Sequence, residues 1–341
     1  MKIALIRLSA LGDIIQSSIV LQFVKKNYPK AQIDWFVDER FKEILAPHSL
    51  ISTLYALPLK DRKILATLKI LAKARRNDYD LVIDLQGLLK SAVIARILSS
   101  KAYGFDKKSL KENLASYFYA HKKNIAYDEN IILRNLYLLH FALKQEFNKD
   151  EILAKSPCFK ADEKLKEKLI KKLKIDENKQ NILIHLGSSM ENKNYPKERF
   201  AILCQMILTR FKRARIFLCW GSAKEKKSAQ FVLNDVASPK LSLLPKLNLQ
   251  ELIAMSALST LIIGNDSGPT HLAFAMNKPS ITIFGATPSY RNAYETPINK
   301  VVDSGKFIAD TKHIDRNDFC IQNVDEGQIF TYVKVLLDEN R

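Results

Sequence analysis

Short apolar runs, each followed by a glycine or a polar turn, recur along the chain and alternate with segments of helical periodicity. Strands alternating with helices form parallel sheets that are covered on both faces. The pattern therefore predicts an α/β fold of two doubly wound, Rossmann-like domains facing a central cleft. The runs that predict buried strands span residues 3–8, 33–37, 81–85, 182–186, 216–220, 261–263 and 281–284.

The chain has 341 residues, which is too long for one core and fits two such domains. A charged helical segment between residues 150 and 180 precedes a new strand and marks the boundary. We predict a first domain over residues 1–160 and a second over residues 178–320. The C-terminal residues, 321–341, contain a helical pattern that we expect to pack back on the first domain.

The segment 260–288 has the pattern of a strand, a glycine turn, a helix and a second strand. Polar residues gather where the first strand meets the helix: Asp266, Ser267, Gly268 and His271. Unpaired N–H groups in the first helical turn, together with the helix dipole, attract phosphate, and a glycine allows close approach. The segment favours a site for a phosphate-bearing ligand. An ordinary Asp or Ser cap in a tight turn is the alternative.

Two polar turns follow predicted strands of the first half. Ser9, Gly12 and Asp13 open a helix, where the Asp13 carboxylate can serve as a cap or as a general base against a hydroxyl. Asp84 and Gln86 follow a later strand and suit either a polyhydroxylated ligand or a capped helix. No G-x-G-x-x-G sequence follows the first strand, which argues against a dehydrogenase.

Two further constellations lie in the second half. Ser188, Ser189 and Lys193 follow a strand, and a lysine there can offset charge on a departing diphosphate, although a polar loop with a surface lysine is equally compatible. Glu225 follows the next strand, where an acidic residue either holds ribose hydroxyls or merely starts a helix. His185 lies within an apolar strand and has the setting of a core histidine.

Net charge is +18, from 54 basic and 36 acidic residues, which indicates an acidic partner or simply a lysine-rich, solvated surface. Residues 60–76 hold seven basic residues against one aspartate, and such a helical face can dock on a membrane. The chain has no aromatic-rich basic stripe, so nucleic acid is not the expected partner. Cysteine spacing and carboxylate spacing predict neither a disulfide framework nor a metal site. The apolar runs are too short to span a membrane, so we expect a cytoplasmic protein.

Five motifs, in order, resemble those of the heptosyltransferases of lipopolysaccharide inner-core assembly, enzymes of the glycosyltransferase B fold. The motifs are S-x-x-G-D at 9–13, K-x-x-P at 193–196, W-G-x-x-x-E at 220–225, D-S-G-x-x-H-L at 266–272 and P-x-I-x-I-F-G-x-T at 279–287. Each is weak alone, but the ordered set is specific. D-x-Q-G-L-x-K-S-A at 84–92 and L-A-S-x-F-Y at 114–119 are similar to members that add the first heptose.

The resemblance implies an inverting, metal-independent and cofactor-free transfer of heptose from ADP-heptose to the Kdo sugar of Kdo-lipid A, at the cytoplasmic face of the inner membrane. Asp13 is then the base, Lys193, Ser188 and Ser189 contact the donor phosphates, and Glu225 holds the ribose. Asp266 binds heptose hydroxyls, and Ser267, Gly268 and His271 bind the diphosphate. The acceptor residues implied are Ser9, Gly12, Lys60, Arg62, Lys63, Gln86 and Lys111.

Two departures from the family pattern bear on these assignments. Tyr195 stands where the family usually carries tryptophan, and lysines replace arginines in acceptor-facing segments, which changes the phosphate contacts available. The alternatives are a transferase for the second heptose, another nucleotide-sugar transferase or 2-epimerase of this fold, and a basic nucleic-acid-binding protein.

Overall fold

The computed structural model describes residues 1–60 and 63–338. The chain divides into two compact units, Met1–Cys158 and Phe159–Arg341. Within the described residues, each unit contains one sheet of six parallel strands with helices on both faces. This architecture follows the alternation of apolar strands and helical segments in the sequence.

The first unit has the strand order β3-β2-β1-β4-β5-β6. Its strands are β1 Lys2–Ile6, β2 Gln32–Asp38, β3 Thr53–Leu57, β4 Leu81–Asp84, β5 Tyr103–Phe105 and β6 His121–Lys123. Its α-helices are α1 Leu11–Ser18, α2 Val20–Asn27, α3 Lys42–Leu45, α4 Ile64–Arg75, α5 Leu89–Leu98 and α6 Ile131–Leu143.

The second unit has the strand order β12-β11-β10-β7-β8-β9. Its strands are β7 Gln180–His185, β8 Ala214–Cys219, β9 Leu241–Leu243, β10 Leu261–Asn265, β11 Ser280–Ile283 and β12 Asn299–Val302. Its α-helices are α7 Glu163–Leu173, α8 Lys197–Arg210, α9 Ala223–Val236, α10 Leu249–Leu258, α11 Gly268–Ala275, α12 Ser289–Asn292 and α13 Glu326–Asp338.

Both sheets have the same topology when their strands are counted from the first strand of each unit. The chain order reverses between β1 and β4 in one unit and between β7 and β10 in the other. Ligands of open α/β sheets bind at the carboxyl ends of the strands beside such a reversal. The central strands are apolar and buried on both faces, so polar side chains near the reversal sit in the turns that follow the strands.

The C-terminal helix belongs to the second unit, which corrects the prediction that residues 321–341 pack on the first domain. Helix α13 packs against α8, and its apolar residues Ile329, Val333, Leu336 and Leu337 are buried in the second core. Their spacing places these residues on one apolar stripe of the helix, and that stripe is buried against other elements of the same unit. Helix α7, left between the predicted domains, also packs in the second unit, against α10.

In the part of the chain that the structure describes, no helix is long and apolar enough to cross a membrane. The same residues contain no group of three or more His, Cys, Asp or Glu side chains that could hold a metal ion. The four cysteines are free thiols. Burial raises the pKa of Cys204 and of Cys219 to about 12, so both stay protonated at neutral pH.

Candidate active site

A buried ion pair lies at the junction of β10 and α11. Asp266 directly follows β10, its side chain is 5% exposed, and one carboxylate oxygen pairs with the ammonium of Lys193. The other oxygen lies 2.9 Å from Nε2 of His271, and the hydroxyl of Thr287 donates to the carboxylate at 3.1 Å. The structure thus brings Lys193, from one predicted motif, together with Asp266 and His271, from another.

The electrostatics of this cluster depend on burial and on the two partners of Asp266, the Lys193 ammonium and the His271 imidazole. Burial by itself raises the pKa of the Asp266 carboxyl, but the Lys193 ammonium and the hydrogen bond from His271 outweigh it and hold the pKa below its usual range. Asp266 is therefore ionised at neutral pH. The Asp266 carboxylate holds the Lys193 ammonium in a site with little exposure to solvent. There the positive charge of Lys193 acts strongly on an incoming anion.

Among the described residues, no side chain caps α11, which excludes the ordinary Asp or Ser cap. Ser267 occupies the N-cap position, but its hydroxyl lies 3.4 Å from Nδ1 of His185 instead. Thr270 turns its hydroxyl back to the carbonyls of Asn265 and Ser267, at 3.0 and 2.9 Å. The N-terminus of α11, with Gly268 at its first position, keeps the features that favour an anion.

Glu225 is held close to the end of β7. The amide of Gly221 donates to its carboxylate at 2.6 Å, and Nε2 of His185 lies 3.7 Å from the same oxygen. A Cβ at Gly187 would lie 2.1 Å from Cδ of Glu225, so only glycine permits this approach. Burial lowers the pKa of His185, and Glu225 opposes this only in part. The predicted core histidine is buried, and it connects Ser267 with Glu225.

Lys193 ends a short 3-10 helix, Glu191–Lys193, that is fastened from both sides. The side-chain amide of Asn192 donates to the backbone carbonyls of Asp315 and Asp318 at 2.8 and 3.2 Å. Tyr195 donates its N–H to Asn265 at 3.0 Å and its hydroxyl to the carbonyl of Val324, also at 3.0 Å. The tyrosine that replaces the family's tryptophan is therefore a buried, hydrogen-bonded anchor beside Lys193.

The two predicted serines behave differently. The hydroxyl of Ser188 donates to the carbonyl of Met190 at 2.7 Å, which closes the turn after β7. Ser189 is exposed at the same turn. Of this pair, Ser189 presents its side chain to solvent, while Ser188 shapes the loop that leads to Lys193.

In the first unit, Asp13 is the third residue of α1, and its side chain is 43% exposed. Its carboxylate accepts from the amide of Ala10 at 3.2 Å and pairs with Nη2 of Arg7 at 3.0 Å. Arg7 is itself buried, and its Nη1 donates to the carbonyl of Leu85 at 2.8 Å. Asp13 thus caps the helix and presents a fixed, partly open carboxylate.

Arg7 is the residue beside Asp13 that sequence reasoning missed. The available signal was a single charged residue inside the apolar run 3–8. Arginine is almost never fully buried without a partner, so its presence there predicts a nearby carboxylate. Ser9 and Gly12, predicted with Asp13, are partly exposed in the same turn.

The turn after β4 is built on a buried carboxylate. Asp84 accepts from the amides of Gln86 and Gly87 at 2.8 and 3.2 Å and from the hydroxyl of Tyr119 at 2.7 Å. Burial raises the pKa of Asp84, although these hydrogen bonds offset part of the effect. Asp84 therefore organises the turn rather than facing a ligand. Gln86 accepts from the amide of Leu8 at 2.7 Å, which joins this turn to the end of β1.

The basic residues predicted to meet the acceptor do not form one buried cluster. Lys60, Lys63 and Lys111 are all exposed. Arg62, predicted with them, lies outside the described residues. The described lysines thus lie on the surface of the unit rather than enclosing a small ligand.

Comparison with known proteins agrees with a chain that contains two Rossmann-like units. Residues 67–310 match the profile of glycosyltransferase family 9 (heptosyltransferase). The Escherichia coli heptosyltransferase WaaC, solved with ADP, has a TM-score of 0.74 at 22% identity, over 98% of this chain and 100% of that one. The Escherichia coli ADP-heptose heptosyltransferase II has a TM-score of 0.76 at 17% identity, over 100% of both chains.

The chain belongs to glycosyltransferase family 9, the heptosyltransferases, and has the glycosyltransferase B fold. Within that family it is similar to lipopolysaccharide heptosyltransferase 1. The Campylobacter coli protein of that name is 54% identical to it over 341 residues, 99% of this chain and 100% of that protein. This membership displaces the nucleic-acid-binding alternative.

Proposed function

We propose that the protein transfers heptose from ADP-heptose to the Kdo residue of Kdo-lipid A, with inversion and without a metal ion, at the cytoplasmic face of the inner membrane. The observation that carries the proposal is the Lys193–Asp266–His271 cluster at the start of α11 in a member of this family. Family membership and the 54% identical heptosyltransferase 1 support heptose as the sugar and inner-core assembly as the process.

On this proposal the second unit binds the donor. Ser267, Gly268 and His271 meet the diphosphate at the N-terminus of α11. Lys193 stabilises the negative charge that grows on the departing ADP, because a fixed cation in a poorly solvated site needs no reorganisation. Asp266 orients Lys193 and offers carboxylate oxygens to heptose hydroxyls, and Ser188 and Ser189 border the phosphates.

The first unit binds the acceptor. Asp13 accepts the proton of the Kdo hydroxyl as its oxygen attacks the anomeric carbon, and the bond to the leaving diphosphate breaks on the opposite face. Arg7 sets the direction of the Asp13 carboxylate. Gln86, with Ser9 and Gly12, lines the acceptor side, while Lys60, Lys63 and Lys111 meet acceptor phosphates or carboxylates.

The test is transfer itself, followed by mass spectrometry of the acceptor. We expect one heptose to be added to Kdo-lipid A from ADP-heptose, at a rate that EDTA leaves unchanged. A protein that uses only an acceptor already carrying heptose would be a transferase for the second sugar. Turnover of a different nucleotide sugar, with none of ADP-heptose, would reject the donor.

Glu225 provides a separate test of the donor side, since we propose that it holds the ribose. Gly187→Ala places a Cβ 2.1 Å from Cδ of Glu225 and must displace that carboxylate. We expect affinity for ADP, measured by calorimetry, to fall about tenfold, the loss of one hydrogen bond to a charged group.

The matched control is Gly221→Ala, because a Cβ at that position lies 3.5 Å from the same carboxylate, an ordinary contact. Its affinity for ADP should stay close to that of the wild type. Equal affinities for ADP in all three proteins would show that Glu225 does not contact the nucleotide.

A further inference from the structure

Several large apolar side chains of the first unit are exposed to solvent. Helix α4 contributes Ile64 at 67% and Leu65 at 76% exposure. The 3-10 helix Asn113–Phe118 contributes Leu114 at 63% and Tyr117 at 69%. With Leu68 and Leu89, which are exposed to a lesser degree, these residues make up what we call the apolar edge.

The topology gathers these residues on one side of the sheet. Helix α4 connects β3 to β4, and α5 connects β4 to β5, so both connections advance in the same direction along the sheet. Right-handed crossovers then place both helices on the same face. Helix α5 packs against α4 and against the 3-10 helix, and the amide of Leu89 donates to Glu112 at 2.7 Å.

The apolar edge also lies toward the carboxyl ends of the strands, on the face of the sheet that α4 and α5 cover. A helix between parallel strands runs opposite to them, so it begins at the carboxyl edge of the sheet. Ile64, Leu65 and Leu68 occupy the first turns of α4, and Leu89 begins α5. This is the edge at which Asp13 and Gln86 follow β1 and β4. These exposed apolar residues thus lie toward the same edge of the sheet as the proposed acceptor residues.

Exposed lysines flank the apolar edge along all three of its segments. Lys63 and Lys69 belong to the α4 segment, Lys90 to the start of α5, and Lys108 and Lys111 to the loop before the 3-10 helix. Exposed apolar side chains bordered by lysines match the interface of an anionic bilayer, where apolar groups enter the acyl boundary and ammonium groups meet phosphates. A second copy of this basic surface would instead bring like charges together.

We propose that the apolar edge inserts into the interface of an anionic lipid bilayer and orients the first unit toward it. The inference deepens the proposed function and rests on it in one respect, because it takes the acceptor to be presented by that bilayer. The lipid is the partner here, and the contact does not require the sugar acceptor.

Vesicle co-sedimentation of the full chain tests the insertion directly. We expect binding to phosphatidylcholine vesicles that contain phosphatidylglycerol, weaker binding to phosphatidylcholine alone, and a decline with added salt. Ile64→Ser/Leu65→Ser and, separately, Tyr117→Ser should weaken binding, the double variant by about tenfold or more. Leu153→Ser, at a residue 59% exposed elsewhere in the first unit, is the matched control and should bind as the wild type does.

Transfer assays separate this inference from the proposed function. With acceptor embedded in vesicles, Ile64→Ser/Leu65→Ser should raise the KM for acceptor at least about fivefold, whereas with a deacylated, water-soluble acceptor its KM and kcat should equal those of the wild type. Normal vesicle binding by both apolar variants would overturn the inference even if transfer occurs. Loss of vesicle binding by the apolar variants, with no transfer by the wild type to either acceptor, would leave the insertion standing and reject the function.

Discussion

Replacing Asp13 by asparagine is expected to lower kcat for heptose transfer by about a thousandfold, because the amide cannot accept the proton of the attacking hydroxyl. Affinity for ADP should not change, since Asp13 belongs to the first unit and the proposed donor residues to the second. The loss should appear at saturating donor and acceptor, which separates chemistry from binding.

The geometry around Asp13 indicates that the substitution leaves the local structure of the helix start in place. The asparagine side chain would keep an oxygen for the amide of Ala10, from which Asp13 now accepts at 3.2 Å, so the start of α1 stays capped. It gives up only the ion pair with Arg7, whose other terminal nitrogen remains bonded to the carbonyl of Leu85. Because Arg7 is buried, some loss of stability accompanies the change, and thermal unfolding measures it.

Asp162→Asn supplies the control for a change of cap. Asp162 also accepts a hydrogen bond from a backbone amide at a helix start, that of Leu165 at 2.8 Å, in α7 of the second unit. Its variant should turn over at the wild-type rate. A folded Asp13→Asn protein that keeps more than about a tenth of wild-type kcat would remove Asp13 as the general base.

The central strands of both sheets were predictable because burial on both faces demands continuous apolar runs. All seven predicted strands are present, with ends within two residues of the predicted ones. The strands that the patterns missed, β3, β5, β6, β9 and β12, lie at or next to sheet edges. Such strands are short and face solvent in part, so an apolar run is neither required nor distinctive there.

Helix boundaries were harder to predict than strands. The sequence predicted one helix opening at Ser9 to Asp13, but the chain forms two, α1 and α2, which meet at Ile19 without a proline or glycine. The packing partner of α13 also could not be predicted from the sequence. An apolar stripe indicates that one face of a helix is buried, but it does not indicate which surface covers that face. The outcome depends on which unit offers the complementary groove.

In the candidate site, too, the positions of single residues could be predicted from local sequence, whereas contacts between distant segments could not. The positions of Asp266 and Asp13 after strands followed from local patterns. The pairing of Lys193 with Asp266 joins segments distant in sequence that only the family motifs related. The approach of Glu225 to Gly187 also joins distant segments, and no motif indicated it. Thr287 ends the motif at 279–287, but the sequence assigned it no role, and only the structure shows that its hydroxyl donates to Asp266.

Replacing Lys193 by methionine is expected to lower kcat by about a hundredfold or more, because the cation that stabilises the leaving diphosphate is removed while the hydrocarbon stem remains. Lys193 is 12% exposed and paired with Asp266, so its charge is little screened by solvent. Affinity for ADP should fall by a smaller factor, since the charge on the diphosphate grows as the bond to heptose breaks.

The same substitution should destabilise the second unit by about 3 kcal/mol, because it leaves the buried Asp266 carboxylate without its ammonium partner. In the wild type, the depressed pKa of Asp266 contributes stability that is present above its unfolded pKa, near 3.8, and lost as pH falls through the folded pKa. Without Lys193, burial is less fully opposed, so we expect the pKa of Asp266 to be higher than in the wild type. The stability deficit of the variant is therefore full at neutral pH and shrinks in acid, which urea unfolding at two pH values measures.

Two further variants separate catalysis from stability. Lys193→Arg keeps a cation beside Asp266, so it should recover most of the lost stability, while its different reach to the diphosphate leaves kcat below that of the wild type. Lys197→Met removes a neighbouring lysine that is 42% exposed and should change neither property. A folded Lys193→Met protein with wild-type kcat would reduce Lys193 to a structural partner of Asp266, and the leaving diphosphate would then need its stabilising charge from elsewhere in the second unit.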